Sequence, residues 1–233
     1  MSLRKTNLVS GEIYHIYNRG VDKRNIVLDD KDRIRFIHDL FEFNNTEASL
    51  KLNYFCKNIS EVGLPNLARK QRNILVEILS FCLMDNHFHL LIRQKADKGI
   101  TEFMRKLGTG YTNYFNHKYE RIGALFQGKF KSVHVNMDAH FLYLPIYIHL
   151  NPLDFEFEEW REGKVHNYKE ALDFLDSYRW SSYMDYTGHK NFPSIIQKDF
   201  LLDRLGSEEK QKKEIIDWLK SFNFNLIREI ILE

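Results

Sequence analysis

The sequence predicts an α+β fold in which helices pack on one antiparallel sheet. Three observations carry this prediction. Two apolar runs flank a turn within residues 78–93, an aromatic and β-branched run at 13–17 is typical of a further strand, and residues 34–43 and 100–115 repeat apolar side chains at helical spacing. Because strand-like and helical segments alternate along the chain, a mixed fold is favoured over an all-helical one.

Size and composition fit such a fold and exclude several classes of protein. The 233 residues could form one domain with additions or two small domains, and 43% hydrophobic residues suffice for a core. The net charge is only +2, so a surface for nucleic acid must come from local clustering. The two cysteines form no disulfide framework, and we see neither a membrane-spanning run nor a signal peptide; a cytoplasmic protein is therefore expected.

The first strand and helix are followed by a less regular segment. A turn at 18–20 ends the strand, and acidic residues at 29–32 favour a helix start because their charge suits the positive helix terminus. Helical spacing continues to about residue 43. Residues 44–73 are expected to form an insertion or a long connection, and the basic cluster at 69–72 is expected to be a solvated surface.

The segment at 78–93 carries the most informative pattern of the chain. Residues 85–86 are Asp-Asn, a pair that favours turns, so the two flanking apolar runs are predicted to form a β-hairpin. Residues two apart in a strand share a face, and His87 and His89 should therefore point the same way. Two neighbouring imidazoles make half of a divalent metal site, although a His-x-His pair also arises by chance.

Three more elements complete the predicted sheet and its helices. A helix opens at Gly99, a fourth strand covers 130–135, and a last core helix runs over about 139–150 with Asp138 as its N-cap. The first six elements then follow the order β-α-β-β-α-β, which is the ferredoxin-like split motif with helices on an antiparallel sheet.

The second helix contains two glycines. Gly108 and Gly110 weaken this helix and are expected to permit close approach of another backbone.

The core is expected to span residues 1–152, followed by a mainly helical extension at 153–233 with one or two helices within 208–231.

The last core helix offers a second group of candidate functional residues. Tyr147 and Asn151 lie one turn apart on the same face. A tyrosine hydroxyl can act as a covalent nucleophile, and an asparagine carbonyl can complete a metal site made by two histidines. Alternatively, Tyr143 and Tyr147 only pack and Asn151 is a C-cap. Pro145 should kink or interrupt the helix and so place Tyr147 on a separate short turn.

Five motifs occur in an order that resembles the HUH single-tyrosine transposases, and more narrowly the REP-associated tyrosine transposase-like (IS200-like) group. The motifs are YHIYNRG at 14–20, MDNHFH at 84–89, GALFQGKFK at 123–131, YIHLNP at 147–152 and WSSY at 180–183. The resemblance runs from about residue 12 to residue 187, and residues 188–233 fall outside it.

The resemblance implies a ferredoxin-like nuclease core that acts on single-stranded DNA, often beside a hairpin. It carries over His87 and His89 as metal ligands, Tyr147 as the nucleophile and Asn151 as a third ligand where many relatives have glutamine. The implied reaction is phosphodiester transesterification with Mg²⁺ or Mn²⁺, through a 5′-phosphotyrosine. Relatives occur as monomers and as dimers, and the expected kink at Pro145 together with the extra terminal helices favours a homodimer here.

Other side chains are candidates for DNA contact. Cationic residues could follow the phosphate backbone, and aromatic residues could stack on bases, although ordinary surface charge and core packing are equally good interpretations. The candidates are Arg19, Arg24, Arg105, Lys106, Lys129, Lys131 and Tyr111. Two alternative functions remain open at this point: a metal-dependent hydrolase that uses water, and a DNA-binding module that has lost cleavage.

Overall fold

A computed structural model describes residues 7–47 and 72–221 of the chain. It confirms the α+β prediction. The strands are β1 (Ile13–Arg19), β2 (Val76–Leu83), β3 (His87–Gln94) and β4 (Lys131–His134). The helices are α1 (Asp30–Glu42), α2 (Gly99–Lys118), α3 (Asp138–Leu150), α4 (Tyr168–Ser177), α5 (Tyr183–Tyr186), α6 (Lys198–Leu205) and α7 (Glu208–Ser221), with short 3-10 turns at Val21–Lys23, Asn151–Phe155 and Glu158–Glu162.

The four strands form one sheet in the order β2-β3-β1-β4, and every neighbouring pair is antiparallel. Together with the β-α-β-β-α-β connection, this order gives the predicted ferredoxin-like arrangement. The hairpin turn lies between Leu83 and His87, as the Asp-Asn pair predicts.

The two faces of the sheet carry different side chains because strand residues alternate. Phe88 of β3 faces α1 and α2, where its ring packs against Phe36, and Phe36 in turn packs against Tyr111. His89 points to the opposite face, where its ring meets Tyr147 of α3. Buried apolar side chains therefore cover both faces of the sheet, and His89 lies on the face that α3 covers.

Helix α3 runs unbroken through Pro145, so the predicted interruption before Tyr147 is wrong. Proline lacks the donor for one helical hydrogen bond. The cost is offset by burial, because Leu144, Ile146 and Ile148 are all buried where α3 packs on β2 and β3. The helix begins at Asp138, one residue earlier than predicted, with Met137 as its N-cap.

The glycines of α2 do not admit another backbone, contrary to the prediction. A Cβ atom on Gly110 would lie 2.3 Å from Cζ of Phe43, so this glycine makes room for an aromatic side chain at the end of α1. A Cβ on Gly108 would meet no atom within 4 Å, because this position faces a cavity.

The segment after α3 packs closely on the sheet rather than standing apart from it. The WSSY motif pairs with the outer edge of β2: Leu83 donates its backbone N–H to the carbonyl of Trp180, and Ser182 donates to the carbonyl of Phe81. Ser182 Oγ also lies 2.8 Å from Nε2 of buried His149, whose pKa burial lowers to about 3. The motif thus covers an edge strand that would otherwise expose unpaired backbone groups.

Several predictions fall partly outside the described residues. These include most of the insertion at 44–73, Cys56 and the chain beyond residue 221. Within the described part, Arg72 donates to the carbonyl of Phe41 and lies over its ring, so this member of the basic cluster is not a solvated charge. Cys82 is buried in β2, and no helix in residues 7–47 and 72–221 is both long enough and apolar enough to cross a membrane.

Candidate active site on the histidine face of the sheet

The pairing of β1 with β3 assembles the candidate site. Tyr17 lies opposite His89, and Arg19 lies opposite His87. Opposite residues in an antiparallel pair project to the same face. His87 and His89 themselves meet edge to face, with ring centroids 5.0 Å apart. The face predicted for the two histidines therefore also carries an aromatic and a cationic side chain from β1.

A cavity of about 290 Å³ opens at this face. It is lined by Tyr17, Asn18, Arg19, His87, His89, Gln127 and Lys131. This lining includes two cationic side chains and two imidazoles but no carboxylate, so it suits an anionic ligand. Arg19 is held in place by its Nε, which donates to Oε1 of Gln127 at 2.6 Å.

Both histidines are oriented through Nδ1. Nδ1 of His87 lies 2.6 Å from Oδ1 of Asn86, and Nδ1 of His89 lies 2.9 Å from Nε2 of His15. His15 is fully buried, and its ring centroid lies 5.0 Å from that of Tyr17 and 5.1 Å from that of His89. A metal ion bound by these two rings would therefore be bound through Nε2, the opposite nitrogen of each imidazole.

Asn151, the third predicted metal ligand, forms hydrogen bonds with groups other than the two histidines. Within residues 7–47 and 72–221, no three His, Cys, Asp or Glu side chains lie close enough together to hold a metal ion. Buried Asn151 donates from Nδ2 to the carbonyl of Tyr147 at 2.8 Å, and its Oδ1 accepts from Arg161 at 3.4 Å. Two imidazoles fit a divalent cation, whereas the Oδ1 of Asn151 is already engaged by the guanidinium of Arg161.

Tyr147 packs directly beside the histidines. Its ring meets that of His89 edge to face, with centroids 5.9 Å apart, and the side chain is fully buried. Its hydroxyl accepts a hydrogen bond of 2.9 Å from Nη1 of Arg161. The cavity wall, as the described residues form it, does not include Tyr147. The candidate nucleophile is thus adjacent to a candidate ligand, with its hydroxyl held by a cation.

Arg161 is a further member of this site, and its role is not predicted from the sequence. Asp154 fixes this side chain by accepting from Nε at 3.0 Å and from Nη2 at 2.7 Å. The guanidinium also lies 5.0 Å from the ring centre of Trp160, whose indole N–H donates to Asp154. One guanidinium therefore contacts both Tyr147 and Asn151. No motif signals it, because Arg161 lies in an acidic, irregular stretch and reaches back to α3 only through the fold.

The other candidate tyrosines lie away from the site. Tyr143 stacks on Trp218 of α7, with centroids 6.0 Å apart. Tyr111 is fully buried, donates its hydroxyl to the carbonyl of Ile26, and has a pKa that burial raises well above its usual value. Its predicted role in stacking on DNA bases is wrong, because its ring belongs to the core.

The predicted cationic contacts for DNA fall into three groups. Arg19 and Lys131 line the cavity at the histidines. Arg105 and Lys129 border a second, larger cavity of about 630 Å³ between α2 and the loop at 124–130. The other two make contacts within the fold: Lys106 donates to the carbonyls of Asn45 and Glu47, and Arg24 donates to the carbonyl of Val21. Arg105 is also engaged, because its guanidinium pairs with Glu102 at 2.6 Å.

Comparisons with known proteins point to one family and one fold. Residues 51–151 match the family model described as "Transposase IS200 like", which confirms the resemblance based on the five motifs. The chain is also similar to a solved structure of the REP-associated tyrosine transposase bound to a REP hairpin. The two align with a TM-score of 0.50 at 12% identity, over 84% of this chain and 90% of that one. At this identity the likeness establishes a shared fold. No curated protein matches the chain.

Proposed function

We propose that this chain, part of which matches the IS200-like transposases, cleaves and rejoins single-stranded DNA at hairpin elements through a 5′-phosphotyrosine. One observation supports this proposal most directly. Tyr147 packs against His89 within the same chain, beside a cavity that also holds His87, Arg19 and Lys131. A nucleophile, two metal-binding imidazoles and two phosphate-binding cations are what such a reaction requires.

The cavity would hold the scissile phosphate. Arg19 and Lys131 supply the positive charge that attracts a phosphodiester and that makes binding depend on salt. Lys129 extends this charge along the second cavity, where half-buried Phe130 offers aromatic surface for unpaired bases. Single-stranded DNA therefore fits the site better than a small anion, because the cationic groups extend beyond one phosphate.

The reaction exchanges one phosphoester for another. The oxygen of Tyr147 attacks the phosphorus, and a tyrosine O–P bond forms as the bond from phosphorus to the 3′ oxygen breaks. The phenol loses its proton to solvent, and the departing 3′ oxygen gains one to become a hydroxyl. Since no phosphoester is lost, the freed 3′ end of another strand can reverse the step and join to the same phosphate.

The proposed cofactor is Mg²⁺ or Mn²⁺ at His87 and His89. A divalent cation there would polarise the phosphate and stabilise negative charge that develops on its oxygens. Imidazole and amide donors favour Mn²⁺ over Mg²⁺. Asn151 remains the proposed third ligand, through the same Oδ1 that accepts from Arg161.

The contact with Arg161 holds Tyr147, the proposed nucleophile, in a resting position. The Tyr147 hydroxyl accepts from Arg161 and Tyr147 does not line the cavity as the described residues form it, so we expect attack to need a turn of this side chain toward the cavity. The closeness of Tyr147 to His89 supports cleavage by the histidines and tyrosine of one chain. The predicted homodimer stays a prediction.

Cleavage of a labelled single strand that carries a hairpin tests this proposal. We expect cleavage with Mn²⁺, none in excess EDTA, and none by His87→Ala or His89→Ala. His134→Ala is the matched control, because His134 lies on the same sheet but pairs with Glu12 outside the cavity. Full cleavage in EDTA would refute the metal-dependent mechanism.

One observation favours a second candidate function, a DNA-binding module without cleavage. Both Tyr147 and Asn151 are buried and engaged by Arg161, as they would be if they served only to support the fold. Tight, metal-independent hairpin binding with no cleaved product under any divalent cation would favour this alternative.

A further inference from the structure

We propose that His15 and Asn86 are positioning residues that set the tautomers of His89 and His87 and so determine which ring nitrogen of each can bind a metal. This inference rests on the proposed function, since it concerns the same two histidines. It assigns a role to a buried histidine that the sequence pattern marks only as part of a strand.

The tautomer of His87 follows from the orientation of the Asn86 side-chain amide. Nδ2 of Asn86 lies 3.3 Å from the backbone carbonyl of Lys23, which can only accept, so Nδ2 must donate there. Oδ1 of Asn86 then faces Nδ1 of His87 at 2.6 Å. An amide oxygen accepts only, so His87 carries its proton on Nδ1. In a neutral imidazole this leaves the lone pair on Nε2.

His15 supplies the corresponding partner for His89. The two rings meet through Nε2 of His15 and Nδ1 of His89 at 2.9 Å, and one nitrogen must donate while the other accepts. If His89 donates from Nδ1, its Nε2 holds a lone pair for the metal. His15 must then accept through Nε2 and carry its own proton on Nδ1.

The surroundings hold His15 in the position that this role requires. Its side chain is fully buried, and its ring is nearly parallel to those of Tyr17 and His89, at 29° and 17°. Metal-binding histidines commonly donate their other N–H to a partner that fixes ring and tautomer. Here both partners come from the chain itself: His15 from β1 and Asn86 from the hairpin turn.

Nitrogen NMR of the metal-free protein tests the tautomers directly. With ¹⁵N-labelled histidine, long-range proton–nitrogen correlations identify which ring nitrogen carries the proton. We expect the Nδ1–H form for His87 and His89 in the wild-type protein. His15→Phe should shift only His89 toward the Nε2–H form, and Asn86→Ala should shift only His87. A wild-type His89 in the Nε2–H form would overturn the assignment of His15.

Mn²⁺ affinity, measured by electron paramagnetic resonance titration, tests whether His15 and Asn86 support metal binding by His89 and His87. We expect His15→Phe and Asn86→Ala each to weaken binding by about 10- to 100-fold, the usual effect of losing such a partner. His15→Gln restores an acceptor near the position of Nε2 and should recover most of the affinity. His134→Phe, the matched control on the same sheet, should bind Mn²⁺ like the wild type. Unchanged affinity in His15→Phe would refute the proposal.

Two further results separate this inference from the proposed function. If the wild-type protein binds no Mn²⁺, the proposed metal site fails, while the tautomers in the metal-free protein still decide the roles of His15 and Asn86. If His15→Phe does not fold, His15→Gln is compared with His15→Asn, whose shorter side chain cannot reach Nδ1 of His89. Equal affinity in that pair would contradict a positioning role.

Discussion

The contact between Arg161 and Tyr147 can be measured as a coupling energy. A hydrogen bond from a charged donor contributes about 1.5–3 kcal/mol to stability. Tyr147 is fully buried, but the Arg161 side chain is 23% exposed, so solvent screening places the expected coupling toward the lower end, at about 1–2 kcal/mol. Arg161→Met removes the donor and keeps much of the length of the side chain.

The assay is a double-mutant cycle in urea, with unfolding followed by circular dichroism. The free energies of unfolding of wild type, Tyr147→Phe, Arg161→Met and the double variant give the coupling energy. The matched control cycle uses Tyr143→Phe, because Tyr143 stacks on Trp218 instead, and its coupling to Arg161 should be near zero. A Tyr147–Arg161 coupling below about 0.5 kcal/mol, which is within the error of additivity, would show that this hydrogen bond does not stabilise the folded protein.

Arg161→Met also tests whether the hydrogen bond from Arg161 keeps Tyr147 in an inactive position. If Arg161 holds the hydroxyl away from the cavity by about 1.4 kcal/mol, its removal should raise the attack-competent fraction, and with it the initial cleavage rate, by up to about tenfold. Loss of cleavage by Arg161→Met, with DNA and Mn²⁺ binding unchanged, would show instead that the guanidinium is needed in the reaction.

The remaining predictions concern pH and salt. Buried His149 has a pKa of about 3 in the folded protein against about 6.5 when unfolded, so its contribution to stability is fully present above pH 6.5 and is lost as pH falls toward 3. Between pH 7 and pH 5 the wild type should lose about 2 kcal/mol relative to His149→Gln in urea unfolding at each pH; parallel losses in both proteins would contradict the assignment. Lys131→Ala should weaken binding of single-stranded DNA and reduce the slope of log K against log salt by about 0.7. Lys106→Ala is its control, since this lysine binds the carbonyls of Asn45 and Glu47, and an equal change in both slopes would exclude a specific phosphate contact at Lys131.

The sequence is sufficient to predict the order of elements and the common face of His87 and His89, because strand periodicity and turn residues are local properties. It does not reveal the register in which β1 pairs with β3. The register of β1 on β3, which brings His15 to His89 and Arg19 to His87, depends on how the whole sheet packs. For this reason His15 and Tyr17 could not be recognised as part of the site.

Two other features depend on tertiary packing in the same way. Pro145 predicts a break in α3, but burial of its neighbours against β2 and β3 outweighs the missing hydrogen bond. Arg161 reaches Tyr147 only because the chain after α3 turns back through two short 3-10 segments. Local patterns carry no information about such a return, so the contact that holds the candidate nucleophile emerges only from the structure.

The covalent adduct is the most direct test of the central claim. A single strand that carries a hairpin and a label on the 3′ side of the scissile phosphate is incubated with the protein and Mn²⁺, and the adduct is mapped by peptide mass spectrometry. We expect a phosphotyrosine bond at Tyr147, absent from Tyr147→Phe and retained by Tyr143→Phe. An adduct on another residue, or undiminished cleavage by Tyr147→Phe, would contradict it.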